Sequence, residues 1–398
     1  MKRCLFLPAA IGAVLTMPIA AQETPGTREM GTSALGAPSN PQAGTGLETG
    51  TPPRHATGDG RGSADEALRA AQEALDRLEE ADGEGAVRAL LDEVSRHVAD
   101  LRASDPDHPR LPYLFGRIYQ VTGRSGDAID QLRKFVKTRE GRNEWRAYRM
   151  LGDLFIDEFP RLAKANYEKA AALKVSEPSV LYGLSLSAMK LGRQDEALRL
   201  VRQAVESDDE GTVAYVSHLA RILLSRQAWD EAERTARSSL ELAGRAMRDK
   251  PGRSDPIQAV DAQYALLMEI VQSRLAAADP RTAEPTGLEA VETAGLYLRL
   301  AGFVRERMRL ASILSQHQVL RVLEAGVERT SLDTPVDLLE AYALALADVG
   351  RSDDAFDIFQ RVLAASPQNA RAAEWLQRHR DSLRAPEKSE PTDQDPPP

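Results

Sequence analysis

Between residues 63 and 384 apolar side chains recur every three or four positions, the spacing that lines one face of an α-helix. No stretch alternates apolar with polar in the manner of a half-buried strand, so the expected class is all-α. ADEALRAAQEALDRLEEA, opening behind Ser63 or Asp65 as the cap, predicts the first helix. Residues 86–103 predict the second, and together they make a hairpin over 63–108. On both flanks the pattern stops. Residues 22–62 are rich in Gly, Pro, Thr and Ser, and residues 385–398 (APEKSEPTDQDPPP) are charged and Pro-rich. Neither segment has enough large apolar residues to offset its ordering entropy by burial, so both are expected to be disordered.

Within the helical stretch one pattern returns. Ala128, Ala163, Ala197 and Ala232 each open a helix, at spacings of 35, 34 and 35 residues. Leu132, Tyr167, Val201 and Ala236 follow four positions later, and Phe135, Ala170, Ala204 and Ser239 seven positions later. The preceding helices agree too. Each has a large residue, a small one, and an apolar residue three further on: Phe115, Gly116 and Tyr119; Leu151, Gly152 and Phe155; Leu184, Ser185 and Ala188; Leu219, Ala220 and Leu223. A small residue on the first helix lets the second pack close, and the alanine does the same from the other side. Gly123, Gly192 and Gly350 stand where a first helix must stop and turn, a place suited to φ > 0. Each hairpin leaves an apolar face bare unless a neighbour covers it, so stacking is the expected outcome.

This pattern resembles the tetratricopeptide repeat, a helix–turn–helix unit of about 34 residues. Residues 336–367 carry the fullest match, with Leu339, Tyr342, Ala343, Leu346, Gly350, Ala355, Phe359 and Pro367. Four repeats span 109–241 and a fifth spans 336–367, none with the family's usual tryptophan in its first helix. The resemblance implies an α-solenoid of stacked hairpins wound into a right-handed superhelix. Residues 336–384 would then hold the fifth repeat and a capping helix at 369–384, with Trp375 over the last apolar face. Residues 242–335 fit less well. They read as three helices, 256–278, 286–302 and 303–327, where alternation of first and second helices needs an even number. Either one of the three splits, or the array is interrupted there.

The N-terminus, MKRCLFLPAAIGAVLTMPIAAQ, adds a targeting feature. Lys2 and Arg3 precede a nearly apolar run from Leu5 to Ile19, and Ala20 and Ala21 offer small residues for cleavage. Residues 1–21 therefore read as a secretory signal, and the protein as periplasmic or secreted. An uncleaved anchor, short and interrupted by Pro8 and Pro18, is the alternative, and would be the only membrane contact. The sole cysteine, Cys4, precedes the apolar run, so cleavage leaves no thiolate for catalysis, a disulfide or a metal. The formal net charge of −9 argues against a nucleic-acid partner, which needs basic surface.

Candidate chemistry is sparse. None of the six histidines pairs at a metal-ligand spacing, and DPDHP at 105–109 reads as a polar turn. GDGRG at 58–62 lacks the strand and lysine of a phosphate loop, and GLSLS at 183–187 misses the nucleophile elbow and lies in a helix. No catalytic residue, cofactor or metal is expected. In tetratricopeptide-repeat proteins the first helices line a concave groove that receives peptides or partner helices. That resemblance, with helical spacing, places on the groove face Arg110, Tyr113 and Arg117, then Arg146, Arg149 and Asp153, then Tyr182 and Lys190, then Arg221. The set is net basic in an acidic chain, and arginine binds carboxylates bidentately, so an acidic protein or peptide segment is the expected partner. The family's carboxylate-clamp mode also uses paired asparagines, which these positions lack. The expected role is a non-catalytic interaction scaffold of the cell envelope. Two alternatives stand beside it: an accessory subunit of a wall or membrane assembly, and an enzyme with its site in 242–335.

Overall fold

The computed structural model describes residues 59–79, 81, 84–249, 254–278, 285–311 and 314–384. The segment read as a signal, most of the linker that follows it, and the C-terminal tail lie outside them. Every regular element among the described residues is helical, and the chain divides between Glu210 and Gly211 into two compact units.

The first unit opens with α1 (Asp59–Glu79) and α2 (Glu84–Ser104), which pack as a hairpin. Ala71, Ala74, Leu75 and Leu78 of α1 meet Val94, Val98 and Leu101 of α2, and the same core takes in Leu111 and Leu114 of the next helix. The start of α1 corrects the reading of 22–62 as wholly disordered: residues 59–62 are helical, and Ser63 and Asp65 lie inside the helix rather than capping it. Gly60 and Gly62 only weaken helix propensity, and nothing after Pro53 forbids the helix. Then come α3 (Leu111–Val121), α4 (Ser125–Phe135), a 3₁₀ turn (Gly141–Asn143), α5 (Trp145–Phe155), α6 (Pro160–Leu173), α7 (Pro178–Lys190) and α8 (Gln194–Glu206).

The small residues of the first helices lie against the second helices. A Cβ on Gly116 would come within 2.8 Å of Leu132, and one on Gly152 within 2.6 Å of the Tyr167 ring. At the equivalent place Ser185 donates a hydrogen bond of 2.8 Å to the carbonyl of Ala197. Ala128, Ala163 and Ala197 are fully buried opposite them. Tyr167 is held on two sides, because a Cβ on Gly183 of α7 would collide with the same ring.

The second unit holds α9 (Val213–Ser225), α10 (Trp229–Asp249), α11 (Ser254–Ala277), α12 (Gly287–Ala311), α13 (Gln316–Arg329), α14 (Val336–Asp348), α15 (Ser352–Ala365) and α16 (Ala370–Arg384). Here the expected boundary at 302/303 is wrong. Gly302 and Phe303 lie inside α12, and the break falls just before Gln316. The cause is a capping box: Ser315 precedes α13, and Gln318 Oε1 accepts the Ser315 backbone N–H at 2.8 Å. A single interior glycine is insufficient to end a helix whose flanks bury Leu300, Ala301 and Val304.

The three helices α11, α12 and α13 leave the repeat out of step. α9 touches α11, with Ser217 donating to Gln263 at 2.9 Å, and α12 touches α14; both are contacts of the kind made by first helices of adjacent hairpins. α11 and α12 thus both take first-helix places. They are joined by a buried pair in which Arg307 Nε and Nη2 donate to the two carboxylate oxygens of Asp261, both at 2.8 Å. At the far end α16 places Trp375 on Phe359, with ring centroids 4.6 Å apart.

Gly123, Gly192 and Gly350 have φ of 72°, 74° and 84°. In each turn the next residue's N–H reaches a carbonyl five positions back, as from Arg193 to Ala188 at 2.8 Å, which closes a Schellman motif. The α9–α10 turn makes the same bonds without a glycine: Gln227 has φ of 58°, and Ala228 N–H reaches Leu223 O at 3.0 Å. A side chain in the left-handed region carries a cost that glycine avoids, so Gln227→Gly is expected to stabilise the second unit by about 1 kcal/mol. A urea-denaturation midpoint unchanged or lowered would contradict this.

Candidate functional site

The first unit brings several of the candidate arginines to one place. α3 supplies Arg110 at its N-cap, with Tyr113 and Arg117 on successive turns; α5 supplies Arg146, Arg149 and Met150; α1 closes the side with Gln72 and Asp76. These residues, with Gln120 and Glu144, wall a cavity of about 300 Å³. α5 is placed for this by Glu144, whose carboxylate accepts the Arg146 backbone N–H and so caps the helix.

Most of the cations are already engaged. Arg110 Nε donates to Glu140, and its Nη2 lies 3.9 Å from Glu144. Arg117 Nη2 donates to Asp76 at 3.0 Å, and Arg149 Nη1 to Asp153 at 3.2 Å. Arg146 differs. Its guanidinium lies over the Trp145 ring, 4.9 Å from the centroid, and pairs with no carboxylate among the described residues. Arg149 Nε is also buried and has no hydrogen-bond acceptor among the described residues. A buried donor left unmade is costly, and an oxygen brought by a ligand would satisfy it.

Behind Arg149 the site is anchored in the core. Asp153 accepts from Tyr167 Oη at 2.7 Å. Burial raises the Asp153 carboxyl above its ordinary pKa, against the opposing pulls of the Arg149 charge and the Tyr167 hydrogen bond. Burial, then the Asp153 charge, pushes the Tyr167 phenol up as well.

Two residues read as groove-facing are instead buried. Tyr113 is 4% exposed, its ring 5.1 Å from that of Phe135, and Arg117 is 8% exposed. The α1–α2 hairpin covers this face of α3, so it becomes an internal interface with Arg117 reaching across it to Asp76. Tyr182 is half-buried on α7, and exposed Lys190 pairs with Asp157 at 3.0 Å; neither lines the cavity. Arg221 belongs to α9 of the second unit, where it pairs with Glu269 of α11 at 3.3 Å. Near it, burial and then the Arg221 charge lower the His218 pKa to about 4. The sequence reading missed Asp76, Gln72, Gln120 and Glu144. Only Glu144 had a local signal, as an acid just before a helix.

In the DPDHP turn, His108 Nδ1 accepts the Arg110 backbone N–H at 3.2 Å, a structural role that orients the start of α3. Among the described residues no group of three His, Cys, Asp or Glu could hold a metal ion, and no helix is long and apolar enough to cross a membrane.

The family model described as tetratricopeptide repeat matches residues 157–212 and 182–246, which supports the repeat assignment over that stretch. No curated protein matches the chain. Among solved structures, the chain is similar to MamA at 21% identity and TM-score 0.35, over 40% of this chain and 93% of MamA. It is also similar to the tetratricopeptide-repeat protein TTC0263 of Thermus thermophilus at 18% identity and TM-score 0.37, over 49% of this chain and 98% of that one. A tetratricopeptide-repeat protein from Parabacteroides merdae shares 14% identity at TM-score 0.38, over 79% of this chain and 98% of that one. Likeness at this level concerns the helical fold alone. Over residues 157–246 the matched repeat and the stacked hairpins agree, so this stretch is built of tetratricopeptide-type helical hairpins.

Proposed function

We propose that this protein is an exported scaffold that holds an acidic segment of a partner protein against Arg146 and Arg149 of α5. The observation that carries this reading is the uneven state of the cavity's cations: Arg110 and Arg117 are spent on internal pairs, while among the described residues Arg146 has no carboxylate partner and Arg149 Nε has no acceptor. A carboxylate entering between them gains charge-assisted hydrogen bonds without first breaking an ion pair of Arg146. Export rests on Lys2, Arg3, the apolar run to Ile19 and the Ala20–Ala21 pair.

Arg146→Glu tests the site cleanly, because the side chain is exposed and supports no other element. It should shift stability by no more than ~0.5 kcal/mol, as surface substitutions do, yet reduce partner recovery ~10-fold in affinity purification of the full chain from envelope extract. Arg149→Gln should weaken recovery in the same direction. Full recovery by both variants at matched protein levels would remove the cavity from the binding surface. Mass measurement of the mature chain, expected to begin at Gln22, checks export.

A further inference from the structure

The second unit carries a separate groove that the repeat pattern does not account for. α10 runs for 21 residues, whereas α4, α6, α8 and α15 occupy second-helix places with 11 to 14. Its last two turns extend along α11 and the C-terminal end of α12, and the three helices wall a cavity of about 550 Å³. The floor is apolar: Leu240 and Met247 of α10, Val260 and Tyr264 of α11, Leu310 of α12. The rim is charged, with Arg245, Arg248 and Arg309 against Glu241 and Glu306.

The rim cations are unequal. Arg309 is taken by Glu306 at 2.9 Å. Arg245 and Arg248 are exposed and make no hydrogen bond or ion pair among the described residues. An apolar floor beside two unengaged arginines complements one kind of occupant, a segment with a large apolar side chain next to aspartate or glutamate. Among the chain's own segments one short stretch matches, Leu47–Glu48 in the linker, and deletion of residues 22–58 tests it as the competing occupant. The C-terminal tail APEKSEPTDQDPPP has the acids but no large apolar residue, and the apolar N-terminal run begins with Lys2 and Arg3, the wrong sign.

We infer that this groove is a second docking site, for a partner segment that seats a leucine or aromatic anchor on Met247, Val260 and Tyr264 and places a carboxylate on Arg245 and Arg248. It is independent of the α5 site, which lies in the other unit. Aromatic and large aliphatic anchors in a pocket supply most of the energy of such contacts, while the flanking charges set orientation and partner choice.

A random-peptide phage library selected on the immobilised full chain tests this, with affinities of enriched synthetic peptides then read by fluorescence anisotropy. The expected class pairs a Leu, Phe or Trp with an adjacent Asp or Glu. Its Kd should rise ~10-fold or more with Arg245→Glu plus Arg248→Glu, and again when the anchor is replaced by serine, while Arg146→Glu leaves it unchanged. Peptides sensitive to Arg146→Glu and insensitive to the rim variant would support only the α5 site and overturn the second one. So would the absence of any enriched class. If such peptides bind only after residues 22–58 are deleted, the occupant is the chain's own segment and the partner assignment fails. Thermal melts of the rim variant, expected to match the parent, separate lost binding from lost fold.

Discussion

Asp261→Ala is expected to cost the second unit ~3–5 kcal/mol, read as a fall in its urea-denaturation midpoint, because it strands Arg307 without its counter-ion. Both side chains are 6% exposed, and the guanidinium grips the carboxylate with two hydrogen bonds of 2.8 Å. The loss reflects the uncompensated charge more than the attraction itself. A buried pair gains little net stability, since desolvating both ions offsets most of their mutual interaction. The double variant Asp261→Leu with Arg307→Met should therefore recover most of the loss. If Asp261→Ala costs under ~1 kcal/mol, water reaches the pair and it does not lock α11 to α12.

Gly183→Val is expected to destabilise the first unit by about 3 kcal/mol, at the upper end for overpacking a well-filled core. A Cβ at Gly183 would overlap Cε1 of Tyr167, and the ring cannot retreat because a Cβ at Gly152, on its other side, would already lie 2.6 Å away. Its hydroxyl is also tied to Asp153 at 2.7 Å. Tyr167→Leu should partly rescue Gly183→Val by vacating ring volume. Gly126→Val is the control: a Cβ there meets nothing within 4 Å, so the midpoint should hold or rise. Equal effects at the two glycines would dismiss the wedge and leave helix propensity as the cause.

Much of the packing could be read from the sequence because it is written locally and repeated. Gly116 faces Leu132 and Gly152 faces Tyr167, each pair within one hairpin, so a recurring small–large complement revealed them. The turn glycines are legible for the same reason, since φ > 0 is a demand on one residue. Gln227 was missed because a strained residue gives no sign of itself in composition. The α12–α13 boundary did have a local sign, Ser315 with Gln318, but the apolar periodicity running past Gly302 obscured it.

The candidate site was legible only halfway. Helical spacing put Arg110, Tyr113, Arg117, Arg146 and Arg149 on first helices, and all five border one cavity. Which of them remain open to a ligand depends on partners far along the chain: Asp76 lies 41 residues before Arg117, and Glu140 lies 30 after Arg110. The same holds for Asp261 and Arg307, 46 residues apart on helices with no shared motif.

Sequence alone thus determined the helical class, the hairpin period and the residues that let paired helices approach, because a 3.6-residue periodicity and a short turn are properties of neighbouring positions. Only the tertiary structure decided that α1 covers the polar face of α3, that α10 and α12 outrun the repeat to wall a groove, and that Arg146 has no carboxylate partner among the described residues. A helix's own sequence sets which of its faces is apolar. Whether the opposite face meets water, a counter-ion or another helix is set by segments elsewhere in the chain.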